Sequence, residues 1–373
     1  MRKFFAKAWA IIITVYEFLG RKHRVATAIF LWKGKYRPEK IVLAQIVPMR
    51  RCNLACTYCN EYDKHSTEIP LNEVKGWIDK LAELGTLNIT ISGGEPMLHT
   101  GIYDIIGYIR SKKIMAGLIT NGYTLTEKNI KRLNESGLQD LQISIDNVEK
   151  DDVSEKSLSF YESKNIPRML QQLAKFNVNF NSVVGGGVNK ASDALTITRR
   201  AFQLGFSSTV GIIHDEDGLL KELTPEEAQI YEQIKKISGK SLSFAKLSRF
   251  QDELVEKKES PWECRAGARY VYICEHGRVQ LCSQHRICKN GAPHHNPVSA
   301  DTMLDIPIME YTKQDFDREF NTKKWCTDTC TIQCVRLVSL FDEKRDPQFE
   351  YTDYVQVQTR GLNPELVDRL RDQ

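Results

Sequence analysis

The chain has 373 residues, a length that suits one large α/β domain or a main domain with an appendage and excludes a minimal module. Lys plus Arg number 52 and Asp plus Glu 48, so the formal net charge of +4 excludes a strongly basic nucleic-acid binder as the starting assumption. Apolar residues at 41% and charged residues at 27% give an ordinary globular balance, which leaves ten cysteines as the feature to be explained.

The chain opens MRKFFAKAWAIIITVYEFLGRKHR. Its uninterrupted apolar stretch, 8–16, lies between Lys7 and Glu17 and is shorter than the roughly 20 residues of a membrane span. No small-residue cleavage site follows; the next residues are Gly20-Arg21-Lys22-His23-Arg24. Two readings stand side by side. One is an interfacial helix that lays Phe4, Phe5, Trp9 and Ile12 on a membrane with its Lys and Arg near lipid phosphates. The other is a helix packed on the protein's own body. Both predict a cytoplasmic protein, peripheral at the membrane in the first case, whose reduced, clustered thiols bind metal.

From residue 41 a strand–helix alternation begins. The apolar run 41–47 (IVLAQIV) predicts a buried strand, and Val74, Trp77, Ile78 and Leu81 predict a helix over 71–84 that stops at Gly85. Further strands are predicted at 87–91, 115–119, 138–145, 178–184 and 208–213, separated by helices at 102–110, 126–136, 167–175 and 192–204. Six strands alternating with helices are the pattern of parallel βαβ units, which curl through right-handed crossovers into a partial (β/α)6 barrel with its ligand face at the strands' C-terminal ends. The expected division is a basic amphipathic extension (1–38), this α/β core (39–223), a helical linker ending in the Lys/Glu-rich 253–259 (224–260), a small cysteine-rich α+β extension (261–340) and a polar tail (341–373). Within the extension a hairpin is predicted, 270–274 and 278–282, turning at Glu275-His276-Gly277.

Directly after the first strand come Cys52, Cys56 and Cys59 in a C-x3-C-x2-C spacing. Three thiolates on one tight loop can ligate three irons of a [4Fe–4S] cubane and leave the fourth iron open, since full protein ligation takes four cysteines. A structural zinc site is the alternative, though such sites are usually closed by four ligands. The second strand ends in Ser92-Gly93-Gly94-Glu95-Pro96, where glycines let backbone approach a ligand and Glu95 can hold an ammonium group.

With both motifs in place, residues 41 to about 215 resemble the radical S-adenosylmethionine (radical SAM) superfamily, whose three-cysteine motif carries an aromatic before its last Cys, here Tyr58. The resemblance implies that the open iron is chelated by the amino and carboxylate groups of SAM, with Gly93 to Pro96 at the amino group. It places Asn121 at the end of the third strand, in Thr120-Asn121-Gly122, and Ser144 and Asp146 at the end of the fourth, near the ribose or methionyl portion. Relatives often carry an Arg beyond the fourth strand for the SAM carboxylate. Residues 148–157 have none, and Lys156 is the nearest substitute. Gly185-Gly186-Gly187 reads as a flexible strand exit over the cofactor, not a dinucleotide fingerprint.

Cys264, Gly277 and Cys282 form a C-x12-G-x4-C run that resembles the opening of the SPASM/twitch region of some radical SAM enzymes, and Cys326, Cys330 and Cys334 follow. The C-x2-C-x5-C-x3-C run of a complete SPASM region is missing, so one auxiliary [4Fe–4S] cluster is expected, held by Cys264, Cys282 and two of the last three. Zinc is again the alternative. Cys274 and Cys288 are read as ordinary thiols; His285, His294 and His295 could join a metal site, though loop histidines more often face solvent.

The resemblance implies reductive cleavage of SAM to a 5′-deoxyadenosyl radical that abstracts hydrogen from a substrate, with electrons from an external donor such as a flavodoxin or ferredoxin. Peptide maturation, or another oxidative or bond-forming modification, is the preferred reading. A lipid or sugar metabolite at the membrane surface, or a non-enzymatic iron–sulfur or zinc protein, are the alternatives. No catalytic side chain is assigned beyond the weakly marked His214 and Asp215, and no nucleic acid is expected.

Overall fold

The computed structural model describes residues 30, 33–59, 61–185, 190–213, 220–238, 262–284, 288–289, 292–293 and 304–342. The apolar N-terminal stretch, the Lys/Glu-rich linker, Gly186, Gly187, His214, Asp215 and the three loop histidines lie outside the described residues. No helix among the described residues is long and apolar enough to cross a membrane.

The core alternates as expected: β1 (Leu43–Met49), α1 (Leu71–Glu83), β2 (Asn88–Gly93), α2 (Ile102–Ser111), β3 (Met115–Thr120), α3 (Glu127–Ser136), β4 (Asp140–Ser144), α4 (Leu158–Ser163), α5 (Ile166–Leu173), β5 (Asn177–Val184), α6 (Ala191–Gln203), β6 (Ser207–Ile212) and α7 (Pro225–Ser238). Local chemistry accounts for the boundaries. Thr126 caps α3 by accepting from the Asn129 N–H, and Gly137 ends that helix at φ 82°, a left-handed conformation that costs glycine little. Val74, Trp77, Ile78 and Leu81 are the buried stripe of α1. The six-residue α4 has no counterpart in the sequence reading, because a run that short shows too little periodicity to be told from a loop.

β1 to β6 pair in parallel in sequence order, and the sheet is open, so the architecture is a partial barrel. Alternate residues of each strand divide between two faces. On β5, Val178, Phe180 and Val184 pack under the helices, whereas Asn177, Asn179 and Asn181 take the opposite, inner face.

The C-terminal elements do not stand apart from this sheet. The hairpin forms as β7 (Tyr270–Ile273) and β8 (Arg278–Gln280), and β7 pairs in parallel with β1, from Leu43↔Tyr270 to Ile46↔Ile273. Two two-residue strands, β9 (Cys288–Lys289) and β10 (Ala292–Pro293), form a separate ribbon, and β11 (Ile306–Pro307) pairs with β8. The order is β11-β8-β7-β1-β2-β3-β4-β5-β6. Helices α8 (Lys313–Asn321) and α9 (Gln333–Ser339) complete the region. Gly277 makes the hairpin turn at φ 66°, and a Cβ there would lie 2.9 Å from the Trp77 indole nitrogen, so the turn packs flat on α1.

Arg269, fully buried at the foot of β7, donates to the Arg37 carbonyl at 2.7 Å, the Lys40 carbonyl at 2.9 Å and the Gly34 carbonyl, and pairs with Asp342 at 2.9 Å. It joins the segment entering β1 to the end of the cysteine-rich region. Arg269→Met leaves Asp342 and three carbonyls without their donor, and urea unfolding is expected to show a loss of about 3–5 kcal/mol, the cost typical of breaking a buried ion pair from one side. An unchanged midpoint would remove this joint from the account of stability.

Candidate active site

β1 runs into the first cysteine loop, which backbone hydrogen bonds close: Cys52 N–H to the Asp63 carbonyl at 3.0 Å and Asp63 N–H to the Arg50 carbonyl at 3.1 Å. Lys64 reaches across the loop to the Leu54 carbonyl at 2.7 Å, and Cys59 N–H turns back to the Cys56 carbonyl at 3.1 Å. Cys56 is buried, and Cys52 and Cys59 are partly so. Burial pushes the Cys59 thiol up to about 11 and raises Cys52 as well. Metal-free, Cys52 and Cys59 hold their protons at neutral pH, and a coordinated cation is what deprotonates such groups. Two donors are aimed at the Cys52 sulfur, Leu54 N–H at 3.4 Å and the Asn121 amide at 3.7 Å, and the Cys56 thiol lies 3.5 Å from the Ser154 oxygen, which can accept from it. Among the described residues, no three His, Cys, Asp or Glu side chains converge as ligands of a single metal ion. Three thiols on one closed loop, with a backbone N–H and an amide directed at Cys52, suit a cubane, whose thiolates each bind a different iron.

The end of β2 lies directly against this loop. Gly94 N–H donates to the Met49 carbonyl at 2.9 Å and Glu95 N–H to the Arg51 carbonyl at 3.0 Å. A Cβ on Gly93, at φ 128°, would sit 2.2 Å from the Met49 oxygen, and one on Gly94 2.0 Å from the Arg50 oxygen. Both positions therefore exclude any side chain, and both glycines stay part-exposed. Glu95 is wholly enclosed. Its carboxylate accepts from Met97 N–H at 2.9 Å, Thr120 Oγ1 at 2.7 Å and Asn121 N–H at 2.7 Å, capping the short turn that Pro96 opens and tying β2 to β3. Burial raises its pKa despite these donors. The expectation that Glu95 holds an ammonium group meets a side chain engaged in bracing the strand ends. Asn121 is braced in turn, its amide donating to Asn53 Oδ1 at 2.7 Å.

Beyond β4, Asp146 is buried and accepts from Ser154 Oγ at 2.7 Å, from Lys156 Nζ at 3.1 Å and from the Tyr58 hydroxyl. Lys156 also meets the Tyr58 hydroxyl. Burial opposes the lysine's charge, yet Asp146 and Tyr58 outweigh it and raise its pKa well above the usual value. The chain thus has no Arg at this exit, and the Lys156 ammonium is held there between Asp146 and Tyr58. Lys156→Met strands Asp146 without its cation, and a stability loss of about 3–5 kcal/mol is expected by denaturant unfolding. Adding Asp146→Leu should recover much of it, and no recovery would show that the pair is not the cause. Ser144 keeps its side chain on the inner face, while its carbonyl accepts from the Tyr161 hydroxyl at 3.1 Å. Asn53 and Ser154 were not singled out in sequence; each is an ordinary loop residue whose role depends on a partner 68 and 98 positions away.

A second thiol group forms under the hairpin. Cys264, Cys282, Cys326 and Cys330 are buried, and Cys326 and Cys330 flank a single turn, Thr327–Thr329. Burial first, and mutual proximity second, push Cys264 up to about 11 and Cys326 up to about 12, with Cys330 raised well above the usual range. Cys334, pushed up to about 12 mainly by burial, lies near Cys282 and hydrogen-bonds with the Tyr270 hydroxyl. All five sequence-selected thiols are thus brought together. Cys274 faces Glu275 and Asp305 instead, and the Cys288 side chain lies outside the described residues.

Residues 46–210 match the Radical SAM superfamily. The chain carries a radical SAM domain. Among curated proteins, the chain is 37% identical over 105 residues to a PqqA peptide cyclase of Methylocella silvestris, covering 26% of this chain and 27% of that protein. It is 32% identical over 102 residues to a probable GTP 3′,8-cyclase of Methanococcus maripaludis, covering 26% and 34%. The matched segments are therefore about a third or less of these relatives' length. Among solved structures, Streptococcus suis SuiB bound to precursor peptide SuiA superposes with a TM-score of 0.53 at 15% identity, over 86% of this chain and 77% of that one. Native anSMEcpe with bound AdoMet gives 0.52 at 17% identity, over 88% and 99%. At such identities the likeness is one of fold, and it extends past the radical SAM domain into the cysteine-rich region.

Proposed function

We propose that the protein is a radical SAM enzyme that modifies a peptide. The observation that carries the reading is the packing of the Gly93-Gly94 strand end onto the three-cysteine loop, with contacts too close for any side chain. In this reading Cys52, Cys56 and Cys59 hold a [4Fe–4S] cluster, the backbone at Gly93 to Pro96 meets the SAM ammonium, and Tyr58, Asn121, Ser144 and Asp146 shape the pocket around it. Lys156 supplies the cation for the carboxylate. Bound there, the cluster and SAM would supply a 5′-deoxyadenosyl radical by reductive cleavage, with electrons from an external donor such as a flavodoxin or ferredoxin. The chain's own residues orient the cofactor, exclude water and present the substrate.

Cys264, Cys282, Cys326 and Cys330, the four buried thiols, are the preferred ligands of one auxiliary [4Fe–4S] cluster, with Cys334 beside it. The peptide reading is supported by relatives named peptide cyclase and by the fold shared with SuiB bound to its precursor peptide. The inner wall supports it too. Gln142, Ser144, Asn179, Asn181, Ser207 and Thr209 line it with uncharged amides and hydroxyls, the last four joined in a hydrogen-bonded row whose remaining donors and acceptors suit peptide backbone.

The test is 5′-deoxyadenosine release from SAM by the iron-reconstituted, dithionite-reduced protein. No release with iron intact overturns the enzyme reading. A mass loss in a short peptide encoded beside the gene supports the peptide reading, and turnover of a lipid or sugar alone removes it.

A further inference from the structure

β7 belongs to the cysteine-rich region, yet it forms one wall of the first cysteine loop. Because β7 runs parallel to β1, the two strands finish side by side, and the residues leaving β7 arrive beside the residues leaving β1. Three contacts follow. Glu275, just past β7, pairs with Arg50 at 2.8 Å, two positions before Cys52; Arg50 is almost wholly buried. The Tyr272 hydroxyl donates to Glu61 Oε1 at 2.8 Å, two positions after Cys59. The Tyr270 hydroxyl donates to Gln45 Oε1 at 2.9 Å, and Gln45 Nε2 donates to Ser92 Oγ at 2.8 Å, one position before Gly93. Tyr270, Tyr272, Gln45 and Ser92 are all buried. The loop that holds Cys52, Cys56 and Cys59 is thus gripped on both sides by one hairpin, and the adjoining glycine strand end is reached by the same strand. Tyr270 also bonds with Cys334 of the second thiol group, so this strand touches both groups.

We propose that Tyr272 and Glu275 are positioning residues for the first cluster: through Glu61 and Arg50 they clamp the two ends of the cysteine loop, and the cysteine-rich region is thereby a working part of the radical SAM site. This rests on the reading that Cys52, Cys56 and Cys59 hold a cluster. The physical reason is that a loop of this length has little core of its own. Hydrogen bonds and ion pairs at its ends restrict the openings through which iron and SAM would be lost.

The test compares the reconstituted wild-type protein with Tyr272→Phe/Glu275→Ala and with Tyr311→Phe. Tyr311→Phe removes a buried hydrogen bond, to the Gly267 carbonyl at 2.6 Å, in the same region but away from the loop. Iron loss to a ferrous chelator is followed, with first-site iron assigned as that missing from a Cys52/Cys56/Cys59 triple alanine variant. The double variant is expected to lose first-site iron about tenfold faster, the scale of one lost charged hydrogen bond. It should keep second-site iron, and its reduced first cluster should show an altered electron paramagnetic resonance signal on adding SAM. Tyr311→Phe should match wild type. Unchanged release and spectra in the double variant, or equal acceleration in Tyr311→Phe, overturn the clamp. A triple alanine variant that retains all its iron overturns the cluster reading itself, and the clamp with it.

Discussion

Replacing Cys52, Cys56 and Cys59 with alanine is expected to abolish 5′-deoxyadenosine formation and to leave about four irons bound. The chemistry needs an open iron, and the loop supplies all three thiols that would hold the cluster around it. The fold should survive, because the loop's closures run through backbone: Cys52 N–H to Asp63, Cys59 N–H to Cys56 and Thr57 N–H to the Val153 carbonyl at 3.0 Å. Stability is expected to change by no more than about 1–2 kcal/mol, the range of ordinary substitutions. Nucleoside chromatography and iron assay check both halves. Unchanged iron overturns the assignment of these ligands, and about eight irons remaining shows two auxiliary clusters instead of one.

Gly94→Ala is expected to weaken SAM binding roughly a hundredfold, about 3 kcal/mol. The new methyl would meet the Arg50 oxygen at 2.0 Å and the Arg51 oxygen at 2.6 Å, and these are backbone atoms that no rotamer change can clear. Relief requires the strand end and the cysteine loop to part, which breaks the Gly94–Met49 and Glu95–Arg51 hydrogen bonds that seat one motif on the other. Gly107→Ala is the matched control. It lies in α2 with open space around it, so alanine there should be neutral or stabilise by about 0.5–1 kcal/mol. Equilibrium dialysis with labelled SAM and thermal unfolding measure the pair. Wild-type affinity in Gly94→Ala would show that the strand end is not part of the binding surface.

The strand–helix alternation was legible because each core strand carries its own apolar run or apolar–polar alternation, and helices such as α1 and α3 carry stripes and end signals within a few residues. The cysteine loop and the glycine strand end were legible for the same reason, since each motif is contiguous. Less was readable where a residue's task lies in a distant partner. Glu95 reads as an acid that can hold an ammonium group, and only the arrival of Thr120 and Asn121 encloses it. Lys156 sits in an acidic loop with no motif, and the fold carries it to Asp146 and Tyr58.

The length and the near-neutral charge exclude a minimal module and a strongly basic nucleic-acid binder, and local spacing then divides the ten cysteines into an open group, a second group and a few outside both. That much is determined by sequence alone, because loop closure and hairpin turns depend on neighbours in the chain. The tertiary structure decided how the two groups relate. Parallel pairing of β7 with β1 joins residues more than 220 positions apart, and no local pattern encodes which edge of a sheet a late strand will choose. That choice is made by the buried side chains of β1 and β7 and by the backbone hydrogen bonds an exposed edge would otherwise lack. It is what turns a cysteine-rich appendage into a wall of the first cysteine loop.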